Sequence, residues 1–393
     1  MDKLNEALKK IDDIEYINQE KVLASFIKNK VSTVHLQGTT GYGYDDIGRE
    51  VIEKIYADIF KTEDALVRIQ FVNGTHAIST ALFANLVRGD KFIYVTGMPY
   101  DTLYESIGIT ENKLSLKNMG VEFDHIDLKD DTFDTENILK YITENKVKMV
   151  CIQRSRGYST RKSLTVKEID NVITKIKEVD NNIIILVDNC YGEFSEDKEP
   201  TKADMLCGSL IKNIGGGVCK TGGYIVGKKE YIENCSERLT CPGIGKECGA
   251  TLSENENILK GLFFAPTIVA GTIKGAIYLA YKLEEKGFQT LPKFDDKRTD
   301  IVQSVIFNDK DKLIKFIQKV QKYSPIDSHV TPMPWAMPGY NDEVIMAAGT
   351  FVQGASIELS ADAPIRPPYI AYVQGGLSYS YIKVVVDNII REL

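Results

Sequence analysis

The sequence lacks the features of a secreted or membrane-spanning chain. Its 393 residues begin with a charged segment that has no apolar stretch, so we expect no secretory signal and a cytoplasmic protein. The apolar runs are short, as in NNIIILV at 181–187, well below the roughly 18–20 residues that a membrane span requires. The net charge of -7 argues against mainly electrostatic binding of nucleic acid. We therefore expect neither nucleic acid nor a membrane as a partner.

The seven cysteines and four histidines lack the spacing of a metal site or a disulfide framework. The sequence contains no CxxC or HxxxH pair, and the spacings between Cys235, Cys241 and Cys248 match no zinc pattern. An odd number of cysteines in a chain without a signal peptide is typical of reduced thiols. We predict that the protein binds no metal.

Short apolar runs alternate with amphipathic segments through the first two thirds of the chain. Runs rich in Val, Ile, Phe and Tyr predict strands at 65–72, 91–95, 147–152, 183–187 and 222–226. Helical periodicity between them is clearest at 135–144 and 166–179. This alternation predicts βαβ units and therefore an α/β domain with a mostly parallel sheet.

Three parts of the chain differ in their pattern. We predict an N-terminal arm at 1–62, a large α/β domain at 63–265 and a small α+β domain at 266–393. The arm contains helices and a loop rich in Gly and Tyr at 37–48. In the small domain we predict helices starting after Pro266, at 299–320 and at about 377–391, and strands around 326–330, 344–350 and 354–360.

Asp188 and Lys212 are the residues most suggestive of chemistry. Asp188 ends an apolar strand, where open α/β sheets bind ligands, although capping the next turn is the alternative. Lys212 precedes a run of glycines among apolar residues, where desolvation would lower the pKa of its amine and favour a Schiff base. A surface position is the alternative for this lysine, and Lys220 competes with it. A lysine and an acid of this kind are the pair that pyridoxal 5'-phosphate (PLP) enzymes require.

The turn around Gly74 is a candidate phosphate site. A predicted strand, this turn and an amphipathic helix follow one another, so backbone N–H groups at the helix start would face an anion. Thr75 belongs to the same turn, and Ser209 offers a hydroxyl from three residues before Lys212. Tyr100 follows the next strand, where a group that stacks on a cofactor ring is expected. A simple turn remains the alternative interpretation.

The segment QRSRGYSTR at 153–161 carries three arginines directly after a predicted strand. Arg154, Arg156 and Arg161, together with Tyr158, predict contact with an anion, either a phosphate or a substrate carboxylate. A solvated basic loop is the alternative.

Five motifs in a fixed order resemble those of a known enzyme group: FVNGTHA, PYDT, QRSRGYSTR, VDNCYGEF and GSLIKNIGGG. The sequence is similar to the Cys/Met-metabolism group of fold-type I PLP-dependent enzymes, and within it to the methionine γ-lyase-like branch that includes aluminium resistance proteins of the cystathionine β-lyase family. The resemblance runs from about Thr39 to the C-terminus and includes SIELSADAPIRPPY at 356–369.

This resemblance implies an aspartate aminotransferase-like α/β fold with a small C-terminal domain, and PLP as the cofactor. It also implies a carbon–sulfur lyase that catalyses α,β- or α,γ-elimination on a sulfur amino acid such as cystathionine, cysteine or methionine. Another PLP reaction, such as aldol cleavage or transamination, and PLP binding without lyase activity stay open.

The resemblance further implies a role for each candidate residue. Lys212 would form the Schiff base and transfer protons, Asp188 would pair with the pyridine nitrogen, and Tyr100 would stack on the ring and act in catalysis. Arg366 would bind the substrate carboxylate as a bidentate fork. The residues implied to hold the phosphate are Gly74, Thr75 and Ser209.

The N-terminal arm predicts an oligomer. Its loop has glycines and aromatic residues but no apolar core of its own, which is typical of a segment that reaches into a partner, and closed symmetry is the usual outcome. We expect a homotetramer built from two dimers. The resemblance implies that arm residues complete the phosphate site of a neighbouring subunit; the candidates are Tyr42, Tyr44 and Arg49.

Overall fold

The computed structural model describes residues 2–337 and 342–393, and its strands form two separate sheets. In the described part of the chain the helices are α1 (Asp2–Lys28), α2 (Ile47–Phe60), α3 (Gly74–Asn85), α4 (Tyr104–Ile107), α5 (Thr135–Glu144), α6 (Val166–Val179), α7 (Lys229–Leu239), α8 (Asn255–Glu285), α9 (Lys310–Lys322) and α10 (Tyr379–Glu392). The strands of the first sheet are β1 (Asp64–Arg68), β2 (Lys91–Tyr94), β3 (Glu122–His125), β4 (Met149–Gln153), β5 (Ile184–Asp188), β6 (Met205–Ser209) and β7 (Gly223–Gly227). The strands of the second sheet are β8 (Gln289–Leu291), β9 (Gln303–Ile306), β10 (Val344–Ala347), β11 (Ser360–Pro364) and β12 (Ile370–Gln374).

The first sheet has the strand order β1-β7-β6-β5-β4-β2-β3. Strand β7 runs antiparallel to both of its neighbours, whereas β6, β5, β4, β2 and β3 pair in parallel. Strand β1 therefore points the same way as β6, and the carboxyl ends of β1 and of β2 to β6 meet at one edge. Strand β4 is buried at every position, as expected for a strand covered on both faces. The predicted mostly parallel sheet is confirmed.

The second sheet is antiparallel throughout, with the order β10-β11-β12-β9-β8. Helix α9 packs on it through contacts with β10 and β11. This sheet and its helices form the α+β part of the C-terminal region. The predicted boundary between 265 and 266 falls inside α8, so the division into domains stays a prediction.

Helix α8 differs from its prediction. The sequence predicted a start after Pro266, but the helix begins at Asn255 and contains this proline. A proline inside a helix removes one backbone donor, yet the helix continues because its apolar surface packs against α1 and α10. Among the described residues it is the one helix long and apolar enough to cross a membrane, which the prediction from apolar runs had missed. Of the most apolar 18-residue stretch of this helix, 72% is buried inside the protein, as in a core helix.

Other differences lie in the second sheet and its surroundings. The helix predicted at 299–320 begins at Lys310, because β9 occupies the start of that range and Asp309 caps the helix by accepting a hydrogen bond from the Lys312 backbone N at 3.0 Å. Residues 326–330 form no strand, and the range 354–360 reaches β11 only at Ser360. Strand β12 was not predicted. By contrast, the predictions for α5 and α6 are confirmed to the residue.

Candidate active site

A cavity of about 430 Å³ lies between the carboxyl edge of the first sheet and the strands β11 and β12. Its walls come from the turns after β1, β2, β4, β5 and β6 and from the second sheet. The residues that sequence analysis had singled out and that line this cavity are Gly74, Thr75, Tyr100, Tyr158, Asp188, Ser209 and Lys212. We refer to it as the lysine cavity.

Lys212 follows β6 by three residues, and two oxygen atoms hold its amine. Its Nζ donates to the Tyr191 hydroxyl at 2.6 Å and to the Ala355 carbonyl at 2.9 Å, and it lies 4.0 Å from the centre of the Tyr191 ring. Burial lowers the pKa of Lys212, but the facing Tyr191 and Cys190 raise it by more, so its pKa lies above the usual value. The expectation of a lowered pKa was wrong because it ignored these partners. The competitor Lys220 is exposed and pairs with Glu254, Nζ to Oε1, at 3.0 Å.

Asp188 is the last residue of β5 and lines the lysine cavity. Its Oδ1 accepts a hydrogen bond from the Cys190 backbone N at 3.1 Å. Burial raises the pKa of this carboxyl group above its usual value. A half-buried acid in the cavity wall suits the ring nitrogen of a pyridine, which it would keep protonated.

The start of α3 and the end of β6 form a small cradle. Asn73 caps α3 by accepting a hydrogen bond from the His76 backbone N at 2.9 Å, and the first turn of the helix faces the lysine cavity. A Cβ atom at Gly74 would lie 3.2 Å from Cys190 Sγ and 3.3 Å from Ser209 Cβ, so the backbone approaches closely only because this residue is glycine.

The hydrogen bonding of Ser209 shows whether this cradle fits a phosphate. Its hydroxyl is fully buried and has no hydrogen-bond partner within the described part of the chain. A buried polar group without a partner is costly, and a ligand oxygen would satisfy it. Together with the N-terminus of α3, which favours anions, the residues present fit the phosphate of PLP. In the turn around Gly74, Thr75 Oγ1 lies 2.8 Å from Thr102 Oγ1, which belongs to the segment after β2.

Tyr191 is a site residue that sequence analysis missed. It adopts a left-handed backbone conformation with φ of 71°, which is unusual for an aromatic residue and is found where the surroundings enforce it. This conformation brings its hydroxyl to the amine of Lys212. The residue lies in the motif VDNCYGEF, but nothing in the motif indicates which way its side chain points.

Asp362 is a second missed residue. It lies in β11, its side chain is buried, and it lines the lysine cavity. Tyr158 donates a hydrogen bond to its carboxyl group. The Tyr158 ring also contacts Tyr372, with ring centres 5.2 Å apart, and Tyr100, with ring centres 6.2 Å apart.

Arg366 lies in an adjoining cavity of about 460 Å³ rather than in the lysine cavity. The two cavities share Tyr100, Gln153, Gly157 and Tyr158 as walls. The guanidinium group is half exposed and pairs with Asp342, Nη1 to Oδ2, at 2.9 Å. Its role in binding a substrate carboxylate stays a prediction.

Arg154 does not contact an anionic ligand as predicted. It is completely buried, and its guanidinium group pairs with Glu196 at 3.1 Å and Glu199 at 3.2 Å, behind the sheet edge. The prediction failed because these two acids come from a later loop that folds over the arginine. Arg156 and Arg161 do line the adjoining cavity.

Backbone carbonyl groups hold these two arginines. Arg156 Nη1 donates to Leu291 O at 3.0 Å, and Arg161 Nη2 donates to Gln153 O at 2.8 Å. Burial lowers the pKa of Arg161 to about 10. The loop is therefore ordered by its arginines, and the alternative of a solvated basic loop is wrong for all three.

The arm residues lie outside the lysine cavity of their own chain. Tyr42 and Tyr44 are 75% and 57% exposed, and their rings stack with centres 5.6 Å apart. Arg49 is buried instead, and its Nη1 donates to Gly43 O and Gly249 O, both at 2.7 Å. These contacts fasten the loop to its own chain, and the role of Arg49 at a neighbouring subunit stays a prediction.

The fold and the cavity together define the class of protein. A mostly parallel seven-stranded sheet, a separate antiparallel sheet and a lysine in the cavity between them are the features of fold-type I PLP-dependent enzymes. The chain belongs to the methionine gamma-lyase family, since the family model described as Methionine gamma-lyase matches residues 1–393.

Several close relatives have solved structures. A carbon-sulfur lyase involved in aluminum resistance from Clostridium novyi NT is 49% identical, with a TM-score of 0.96 over 100% of this chain and 94% of that chain. A Listeria monocytogenes protein, described as a candidate cystathionine beta-lyase involved in aluminum resistance, is 49% identical with a TM-score of 0.96 over 99% and 96% of the two chains. The uncharacterized protein YnbB of Bacillus subtilis (strain 168) is 53% identical over 390 residues, which is 98% of this chain and 92% of that protein.

More distant structures show the fold alone. The methionine gamma lyase of Micromonospora echinospora is 15% identical, with a TM-score of 0.61 over 92% of this chain and 93% of that chain.

Proposed function

We propose that this protein is a PLP-dependent carbon–sulfur lyase that eliminates a thiol from a sulfur amino acid. The observation that carries the proposal is that a half-buried lysine, a half-buried carboxyl group and a phosphate cradle line one cavity. The descriptions of the relatives from Clostridium novyi and Listeria monocytogenes support the same reaction class.

Each part of the lysine cavity has a task in this proposal. When bound, PLP would supply an electron-withdrawing ring that acidifies the Cα–H bond of the substrate. Ser209, Thr75 and the N-terminus of α3 at Gly74 would hold its phosphate, and Asp188 would face its ring nitrogen.

Lys212 would bond the cofactor and then, once the substrate has displaced it, take the proton from Cα. The raised pKa of this amine means that it carries a proton in the free protein and must lose it before it reacts. Tyr191 and Ala355 fix the direction in which the amine points. Tyr100 would stack on the ring, as the resemblance implies.

The substrate carboxylate would bind Arg366, which the adjoining cavity connects to the lysine cavity through shared walls. A guanidinium group binds a carboxylate through two parallel hydrogen bonds. Its present partner Asp342 would then be displaced or would share the guanidinium.

We further propose a cytoplasmic homotetramer built from two dimers. The exposed aromatic pair Tyr42 and Tyr44 and the exposed apolar side chains of α1, which include Leu23 at 47% and Ile27 at 69%, suit contact with a second copy. Tyr44 would reach the phosphate site of the neighbouring subunit. Light scattering of the pure protein tests this assembly, and a fully active monomer would contradict it.

A panel of amino acids incubated with the PLP-loaded protein tests the function. We expect one of cystathionine, cysteine or methionine to release a thiol together with ammonia and a 2-oxo acid. Consumption of another amino acid without thiol release would point to aldol cleavage or transamination and overturn the lyase assignment. No turnover of any amino acid by PLP-loaded protein would indicate a binding protein.

A further inference from the structure

The lysine cavity contains a second buried carboxyl group that has no task in the proposed function. Asp362 is 6% exposed, and it reaches the cavity from β11 of the second sheet, whereas Asp188 reaches it from the first. Across the strands it pairs with Met346 and Tyr372, which line the same cavity. The position is therefore part of the cavity wall, where a bound substrate would meet it.

The contacts of Asp362 leave it free to exchange a proton. Its carboxyl group accepts hydrogen bonds from Tyr158 and from the backbone N–H of Asp362 itself. Tyr158 in turn contacts Tyr100, the residue proposed to stack on the cofactor ring. The charge of Lys212 acts directly on the Asp362 carboxyl group, so the amine and the acid face the same small volume.

We propose that Asp362 is the acid that protonates the leaving sulfur of the substrate. This inference rests on the proposed lyase function. Lys212 takes the Cα proton, the electron pair left at Cα forms the Cα=Cβ double bond, and the Cβ–S bond breaks with its electron pair passing to sulfur. Asp362 gives its proton to that sulfur and becomes a carboxylate, which regains a proton from water. The thiol departs, and water converts the remaining fragment to a 2-oxo acid and ammonia.

The surroundings of Asp362 suit a group that gains and loses a proton near neutral pH. Burial raises its pKa to about 6, while Tyr158 and Lys212 oppose that increase. Asp362 in turn contributes to the raised pKa values of Tyr191 and Tyr372. A thiolate is a poor leaving group in a buried site, and a positioned acid typically contributes about 10²–10⁴-fold to such a step.

The decisive experiment compares two leaving groups in the Asp362→Asn variant. S-ethylcysteine requires protonation at sulfur, whereas β-chloroalanine releases chloride, which requires no proton. We expect the variant to lose about 100-fold in kcat on S-ethylcysteine and to keep its kcat on β-chloroalanine within about threefold of the unmodified protein. An equal loss on both substrates, or no loss on either, would overturn the proposal.

Controls separate this inference from the proposed function. If the unmodified protein eliminates neither thiol nor chloride from these two substrates, the α,β-elimination on which this inference rests fails and the role of Asp362 falls with it; if it eliminates both, only the variant decides that role. The PLP affinity of Asp362→Asn should equal that of the unmodified protein, because the proposed function assigns the ring nitrogen to Asp188 and the phosphate to Gly74, Thr75 and Ser209. Asp295→Asn is the matched control variant, because it also removes one carboxylate but at an exposed position.

Tyr158→Phe provides a second test that does not alter the acid itself. Its hydrogen bond lowers the pKa of Asp362, so its removal should raise that pKa. The alkaline limb of kcat for S-ethylcysteine should therefore move to higher pH, by about half a unit or more, and the β-chloroalanine profile should not move. If the alkaline limb of the S-ethylcysteine profile does not move, the proposal is contradicted. This test remains valid even if Asp362→Asn does not fold.

Discussion

Tyr191 controls how readily Lys212 gives up its proton. Replacing Tyr191→Phe removes the hydroxyl that accepts from Nζ at 2.6 Å but keeps the ring 4.0 Å from the amine. A hydrogen bond to a charged group contributes about 1.5–3 kcal/mol, and about 1.4 kcal/mol corresponds to one pKa unit. Since the Ala355 carbonyl still accepts from the amine, we expect the lower end of that range. The pKa of Lys212 should fall by about one unit.

The rate of PLP uptake by the cofactor-free protein measures this change, because only the neutral amine reacts with the aldehyde. Stopped-flow absorbance between about pH 7 and 10 should show uptake about tenfold faster in Tyr191→Phe below the pKa, with the limb of the profile moved about one unit lower. Tyr231→Phe, in α7 and outside the lysine cavity, should leave the profile unchanged. A folded Tyr191→Phe variant with an unchanged or higher limb would refute the reasoning.

Three further changes test other parts of the account. Ser209→Ala should weaken PLP binding about tenfold without lowering the melting temperature of the cofactor-free protein, since its hydroxyl has no partner there; unchanged PLP affinity in a titration would contradict the cradle. Arg154→Ala leaves the buried Glu199 without its cation and Glu196 with Lys297 alone, and should cost about 3–5 kcal/mol of unfolding free energy in urea; a loss below about 1 kcal/mol would show that the network is not structural. Arg366→Ala should raise KM strongly and lower kcat less; an unchanged KM for the substrate would exclude it as the carboxylate site.

The first sheet could largely be predicted from the sequence because its strands are buried on both faces. Continuous apolar runs mark β4 and β5, and capping residues mark the helices between strands. Asp134 is the N-cap of α5, and Thr165 is the N-cap of α6. Strand β6 was missed because its five residues, MLCGS, include a glycine and end in a polar serine. Helix α8 was cut at Pro266 because local propensity does not include the packing against α1 and α10 that sustains it.

The site was predictable where chain order alone sets the position. Residues at the carboxyl ends of parallel strands meet at one edge whatever lies between them, so Asp188, Ser209 and Lys212 share a cavity. Partners supplied by distant segments could not be predicted. Asp362 enters from the second sheet, and Tyr191 reaches Lys212 only through its left-handed backbone.

The central claim is that Lys212 carries the cofactor, and covalent trapping tests it most directly. The protein is loaded with PLP, reduced with borohydride, digested and mapped by mass spectrometry, with Lys212→Ala as the control. We predict a single modified peptide that carries the pyridoxyl group on Lys212, and no such peptide from the variant. Pyridoxyl modification on Lys220 instead, or a colourless protein that takes up no PLP, would contradict the account.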